Sequence, residues 1–230
     1  MNPLSTADWE AFFLSLQVAG LSTLLLLILA TPLAWWLSQS RGRGRVLLQA
    51  FIALPLVLPP TVLGFYLLVL MHPEGALSGL LRSLGWQGQL SFSFSGLVLG
   101  SLVYSAPFAV QPLMHAFGAI PRNLLDAAST LRAGPWDRFF HLVLPLSRRG
   151  FIVAATLSFA HTLGEFGVVL MLGGNIPGET RTAAIAIYDH VESLQYAQAH
   201  AMSVLMLLFS LLLLLPVYAA QRGADPLRLR

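Results

Sequence analysis

GFIVAATLSFAHTLGEFGVVLML, residues 150–172, is the stretch on which the fold turns. It is long enough to cross a bilayer, whose hydrocarbon core of about 30 Å needs roughly 20 apolar helical residues. It also carries Glu165, and an acidic group in hydrocarbon costs at least a few kcal/mol unless it is paired, protonated or wet. Whether this stretch spans decides the parity of the whole chain, so the rest of the sequence arbitrates.

Four other stretches lack Arg, Asp and Glu over a sufficient length; they lie between Glu10 and Arg41, Arg45 and Glu74, Arg82 and Arg122, and Glu192 and Arg222. Trimmed to apolar boundaries they predict spans at 13–37, 47–71, 94–115 and 198–219. With 150–172 as a fifth span, Arg41, Arg43, Arg45, Arg122, Arg132, Arg138, Arg148, Arg149, Arg222, Arg228 and Arg230 share one side of the membrane, and only Arg82 and Arg181 lie opposite. The positive-inside rule then puts the N-terminus outside and the C-terminus in the cytoplasm. Without the Glu165 span, the tail arginines separate from Arg148 and Arg149 and the bias is lost. The charges therefore support the fifth helix independently of its hydropathy.

Composition agrees. Of 230 residues, 56% are hydrophobic and 10% charged, with a mean hydropathy of +0.73, too apolar for a soluble domain. A net charge of +3 invites a nucleic-acid reading, but the arginines are scattered between apolar segments and form no basic stripe. Cysteine is absent, which removes disulfides and thiolate metal sites. Asp8 and Glu10 precede the first span where a signal peptide carries basic residues, so that span is expected to remain as a helix. The chain reads as one all-α transmembrane domain, 1–230, with five or six spanning helices.

The longest polar insertion, 120–146, opens the run IPRNLLDAASTLRAGPWDRFFHLVLPLSRRG from Ile120 to Gly150. Pro121 suits the start of a helix, Leu124, Ala128 and Leu131 recur at helical spacing, and Gly134 with Pro135 forms a break. Trp136, Phe139 and Phe140 then offer bulky apolar contacts beside Asp137 and Arg138. Such a unit suits docking in a partner's groove; lying on lipid headgroups is the equal alternative.

This segment resembles the coupling motif of ABC importer permeases, written E-A-A, three residues, G, nine residues, I-x-L-P. Asp126, Ala127 and Ala128 hold the first three positions, and Leu142, Leu144 and Pro145 the later ones; Arg132 stands at the motif glycine, with Gly134 two residues on. The run Ala133, Gly134, Pro135, Trp136 is close to the family's wording. Two further stretches, LPLVLPPTVLG (54–64) and GEFGVVLMLGGNIPGETRT (164–182), resemble molybdate permeases, and sulfate permeases share related wording. The resemblance implies the type I importer permease (MetI-like) fold, with a short cytoplasmic helix seated in an ATP-binding subunit through Asp126, Ala127, Ala128, Leu131, Arg132, Ala133, Gly134, Pro135, Trp136, Leu144 and Pro145. It also implies a prokaryotic inner-membrane importer built from a second copy of the chain, two ATPase subunits that hold the ATP-Mg, and an extracytoplasmic molybdate-binding protein. This chain itself is expected to bind no cofactor and no metal.

For the pathway, Pro59, Pro60, Thr61 and Gly64 mark a kinked helix, read either as packing or as a transport lining. Thr162, Gly164 and Gly167 are candidates for the translocation pathway or gate, whereas Glu165 would repel a dianion and is assigned to structure or gating. Arg181 is the nearest sequence candidate to pair with it or to attract the anion. Asn175, Pro177, Gly178, Glu179, Thr180 and Thr182 form an outer loop with a type II turn at Pro177-Gly178, and Ala183 to Val191 a short helix. The outer side carries Asp8, Glu10, Glu74, Glu179, Asp189 and Glu192 against Arg82 and Arg181, a surface that disfavours a free anion and favours a basic carrier protein. An intramembrane enzyme is the rival of a different class, but HExxH, GxSxG and a P-loop are all absent, and His161 with Glu165 gives only two potential metal ligands.

Overall fold

The computed structural model describes residues 4–86 and 88–222, which contain helices and no strands. Arg228 and Arg230, two of the arginines that orient the sequence, lie outside the described residues. The helices are α1 (Thr6–Gln39), α2 (Arg43–Ala53), α3 (Pro60–Met71), α4 (Ala76–Ser83), α5 (Phe94–Gly118), α6 (Arg122–Thr130), α7 (Pro135–Arg138), α8 (Leu144–Leu163), α9 (Gly167–Gly173), α10 (Ala183–Glu192) and α11 (Tyr196–Arg222). Five stretches are long and apolar enough to cross a membrane: Thr6–Gln39, Pro60–Ser83, Phe94–Gly118, Pro135–Leu163 and Tyr196–Leu215.

Two expected spans differ from the observed helices. The stretch 47–71 is not one helix: α2 ends in a short 3-10 turn at Leu54–Leu56, and α3 begins only at Pro60. Pro55, Pro59 and Pro60 remove three backbone donors within six residues, and Pro59, lying before a proline, is forced to an extended ψ of 136°. Pro60 then occupies the first helical position, where a missing N–H costs nothing. The stretch 150–172 is likewise divided. Its helix starts earlier, running through a π-turn at Phe139–Val143 ahead of Pro145, and stops at Leu163; the chain breaks over Gly164, Glu165 and Phe166 before α9. The spanning unit is therefore Pro135–Leu163, with Glu165 just past its end.

α1, α5 and α8 pack together and form the core. Leu26, Ala30, Ala34 and Leu37 of α1 meet Ala109, Val110, Leu113 and Phe117 of α5, with Ala154 of α8. Lipid tails are as apolar as leucine, so packing of small residues holds such helices together in place of the hydrophobic effect. A Cβ at Gly150 would lie 2.3 Å from the Ala116 Cβ, which shows how closely α8 approaches α5. α11 stands at the periphery, tied to α1 by the edge-on Phe12–Phe209 pair at 5.6 Å.

The start of α1 is fixed twice. Ser5 caps it in a reciprocal capping box with Asp8. The Asp8 carboxylate also accepts from His190 Nε2 of α10 at 2.7 Å, where both side chains are buried, and His190 Nδ1 faces Gln195 at 2.9 Å. Ser15 accepts the Ala183 N–H at 2.7 Å, so α10 is bound along the first half of α1. Asp8→Ala leaves the His190 ring without its buried acceptor and is expected to cost about 2 kcal/mol, read as a lower denaturant midpoint for the chain in detergent.

Candidate functional site

The polar segment 120–146 is ordered by a single turn. α6 ends in a Schellman motif: Ala133 N–H donates to Ala128 O at 3.0 Å and Arg132 N–H to Ser129 O at 3.0 Å. That motif needs one residue in the left-handed region, and here it is Arg132, with φ +59°. This explains why a glycine would suit the position. Gly134 does not take over the role; its φ is −66° and it merely precedes Pro135, which opens α7. The expected break at Gly134 and Pro135 thus lies two residues after the true reversal.

The turn sets α7 beside α6, where Arg138 Nη1 donates to Ser129 Oγ at 2.8 Å. Leu131, in the turn, and Trp136, in the first turn of the Pro135–Leu163 stretch, then stand 82% and 76% exposed, and Trp136 stacks on Phe140 at 6.1 Å. Large apolar side chains so exposed beside charged residues suit contact with a partner or with lipid headgroups. Asp126, Ala127 and Ala128 lie on α6, Leu131, Arg132 and Ala133 in the turn, and Gly134, Pro135 and Trp136 at the start of α7. Leu144 and Pro145 are separate from this surface, at the head of α8.

Within the membrane the two motif stretches come together. A Cβ at Gly167 would lie 2.6 Å from the Pro60 Cβ, and one at Gly64 would lie 2.9 Å from the Met171 Cβ. The two broken helices therefore touch backbone to backbone, α3 against α9, and Pro60, Gly64 and Gly167 are packing residues of that junction. Pro59 and Thr61 flank it. The exposed α9 carbonyls are also satisfied: Leu172 O accepts from Phe92 N–H at 2.7 Å, and Gly173 O from the Thr180 hydroxyl at 2.6 Å.

Beside this junction lies a buried polar cluster. Ser101 of α5 donates to Glu165 Oε2 at 3.4 Å, while Glu165 Oε1 has no partner. Ser105, one turn on, meets His161 Nδ1 and Thr162 Oγ1, each at 2.9 Å. The His161 ring stacks on Phe108 at 4.1 Å and touches Tyr104 at 4.7 Å. Sequence reading singled out Thr162, Gly164 and Glu165 but missed Ser101, Ser105, Tyr104 and Phe108. The i, i+4 serine pair was the available signal, and it is weak because serine is common in apolar helices.

Arg181 does not pair with Glu165. Its Nη2 bonds Asp189 of α10 at 2.8 Å. Glu179 N–H donates to Ile176 O at 3.2 Å with Gly178 at φ +77°, which is the type II turn expected around Pro177 and Gly178 after Asn175. Thr182 precedes α10 with its hydroxyl buried and unpartnered. No group of three potential metal ligands occurs among the described residues.

The sequence family described as the binding-protein-dependent transport system inner membrane component matches residues 12–229. The chain belongs to that family. This permease is 58% identical over 220 residues, 96% of its length and 97% of the relative's, to the molybdenum transport system permease protein ModB of Azotobacter vinelandii. It is 30% identical over 212 residues, 92% of its length and 79% of the relative's, to a probable sulfate transport system permease protein of Chlorella vulgaris. In three dimensions the permease is similar to a chain of a bacterial ABC transporter involved in the import of alginate, with TM-score 0.77 at 18% identity, covering 96% of this chain and 81% of that one. Its fold is thus the all-helical permease fold of ABC transporters, and it is a multi-pass membrane protein.

Arg132→Gly relieves a left-handed side-chain conformation that costs roughly 1 kcal/mol. Hydrogen exchange of the amides of residues 131–133 is expected to slow by roughly threefold, against no change in α5.

Proposed function

We propose that the chain is the non-catalytic permease subunit of an ATP-driven importer that carries molybdate into the cell. The observation that carries this reading is the 58% identity to a molybdenum permease across 96% of the chain; likeness to the sulfate relative is much lower at 30%. The functional unit is a pair of these chains with two cytoplasmic ATPase subunits and an extracytoplasmic molybdate-binding protein. ATP-Mg belongs to the ATPase, and this chain contributes no reacting group.

Coupling runs through the 120–146 segment. The Leu131, Trp136 and Phe140 surface seats in a cleft of the ATPase, and α6 transmits its opening and closing to α8 through the rigid turn at Arg132. Trp136 is the natural anchor, because a large aromatic at the centre of an interface carries a disproportionate share of its affinity. Within the membrane, the α3–α9 junction and the Ser101–Glu165 contact hold the two broken helices against α5, the arrangement through which alternating access is gated. Glu165 acts there as a positioning and gating group, since an ionised carboxylate beside the substrate would repel it. On the outer face the acidic residues receive a basic carrier protein, which brings the anion past a surface it would not approach alone.

Uptake by the chain reconstituted in liposomes with its ATPase and binding protein tests the reading. ATP-dependent accumulation of molybdate in preference to sulfate is expected, with tungstate as the closest competitor; accumulation of none of the three overturns it. Trp136→Ala should weaken ATPase association at least tenfold, whereas unchanged assembly would return the segment to the lipid surface.

The orientation has an equally direct test, because the chain lacks cysteine. In right-side-out vesicles an impermeant maleimide is expected to label Ser193→Cys and to spare Gly44→Cys; the reverse pattern inverts the topology.

A further inference from the structure

Beneath α6 the chain encloses a cleft of about 410 Å³. Trp35 and Gln39 from the last turn of α1 form one wall, and Arg122, Asp126, Arg138 and Phe139 form much of the rest. We propose that this cleft binds the phosphate headgroup of an anionic membrane phospholipid. The inference rests on the proposed membrane placement of the segment and is independent of the transported ion.

Depth is the first argument. Trp35 and Gln39 end one spanning helix and Arg138 and Phe139 begin another, so the cleft lies where hydrocarbon gives way to headgroups. Trp35 is an aromatic of the kind that anchors helices at this level, and its ring is fixed edge-on to Phe117 at 5.5 Å.

Charge is the second. Two arginines face the cleft against one carboxylate, and among the described residues neither arginine has an ion pair within 4.0 Å. Arg138 is nonetheless held in place by Ser129 Oγ through one nitrogen, which leaves further guanidinium donors for a ligand. A planar guanidinium matches phosphate oxygens two at a time. Basic pockets between spanning helices on the cytoplasmic side take acidic headgroups for these reasons.

The lining is the third. Aromatic and cationic groups side by side suit a phosphate whose glycerol and acyl chains continue along Trp35 and Phe139, and suit a free anion less well. Such a lipid would connect α6 to the end of α1 and brace the coupling segment against the bilayer.

Native mass spectrometry of the full chain in detergent measures this with three probes: phosphatidylglycerol, phosphatidylcholine and glycerol phosphate. Phosphatidylglycerol is expected to bind at least fivefold more tightly than the other two. Arg122→Gln and Arg138→Gln should each weaken it about fivefold, the effect of one basic residue near an acidic headgroup, while Arg43→Gln, outside the cleft, leaves it unchanged. Equal binding of phosphatidylcholine overturns the proposal, as does glycerol phosphate binding as tightly as the lipid, which would mark a free-anion site. If the two cleft variants lose the ATPase but retain phosphatidylglycerol, the cleft belongs to the ATPase interface and the lipid proposal falls.

Discussion

A backbone N–H or C=O in hydrocarbon has no water to turn to, and each one left unpaired costs several kcal/mol. The architecture of this permease follows from how that demand is met where its helices break. Three prolines open the chain between α2 and α3, and Gly164 to Phe166 open it between α8 and α9. Either break alone would expose peptide groups to lipid. Beyond the breaks, Pro60 and Gly64 pack on Gly167 and Met171, so α3 and α9 lie against each other, and Phe92 and Thr180 take the carbonyls at the end of α9.

Beside the α3–α9 contact lies a setting for the polar residues. Ser101, Ser105, Thr162 and Glu165 are tolerable in the bundle because α5 and α8 present them to one another. Glu165 remains the exception, with one oxygen lacking a protein partner. An unsatisfied buried oxygen next to a helix break is the kind of local conflict that functional sites retain.

The polar segment between α5 and α8 obeys a different constraint. Its shape is set by one left-handed residue, Arg132. With Arg132 there, the turn geometry that glycine would provide freely is kept at a conformational cost. The consequence is a fixed angle between α6 and α7 that turns Leu131 and Trp136 outward.

Much of this was legible in the residues. Lengths free of charge placed the spanning regions, and the sidedness of the arginines required the Glu165 stretch to count as one, because both signals are sums over many residues and survive local irregularity. The type II turn was legible because Pro-Gly specifies its dihedral angles locally. The division of 47–71 and 150–172 was not, since hydropathy reports burial in lipid and is blind to whether the helix is continuous. Nor could sequence spacing find the partners of Arg181 or Glu165: Asp189 and Ser101 lie 8 and 64 residues away respectively. Composition and charge by themselves determined that the chain crosses a membrane, because partitioning into lipid is a property of each segment. Only the tertiary structure decided that α3 meets α9, which serine meets the buried carboxyl, and that Arg132 makes the turn between α6 and α7, because those depend on approach between elements that no single segment encodes.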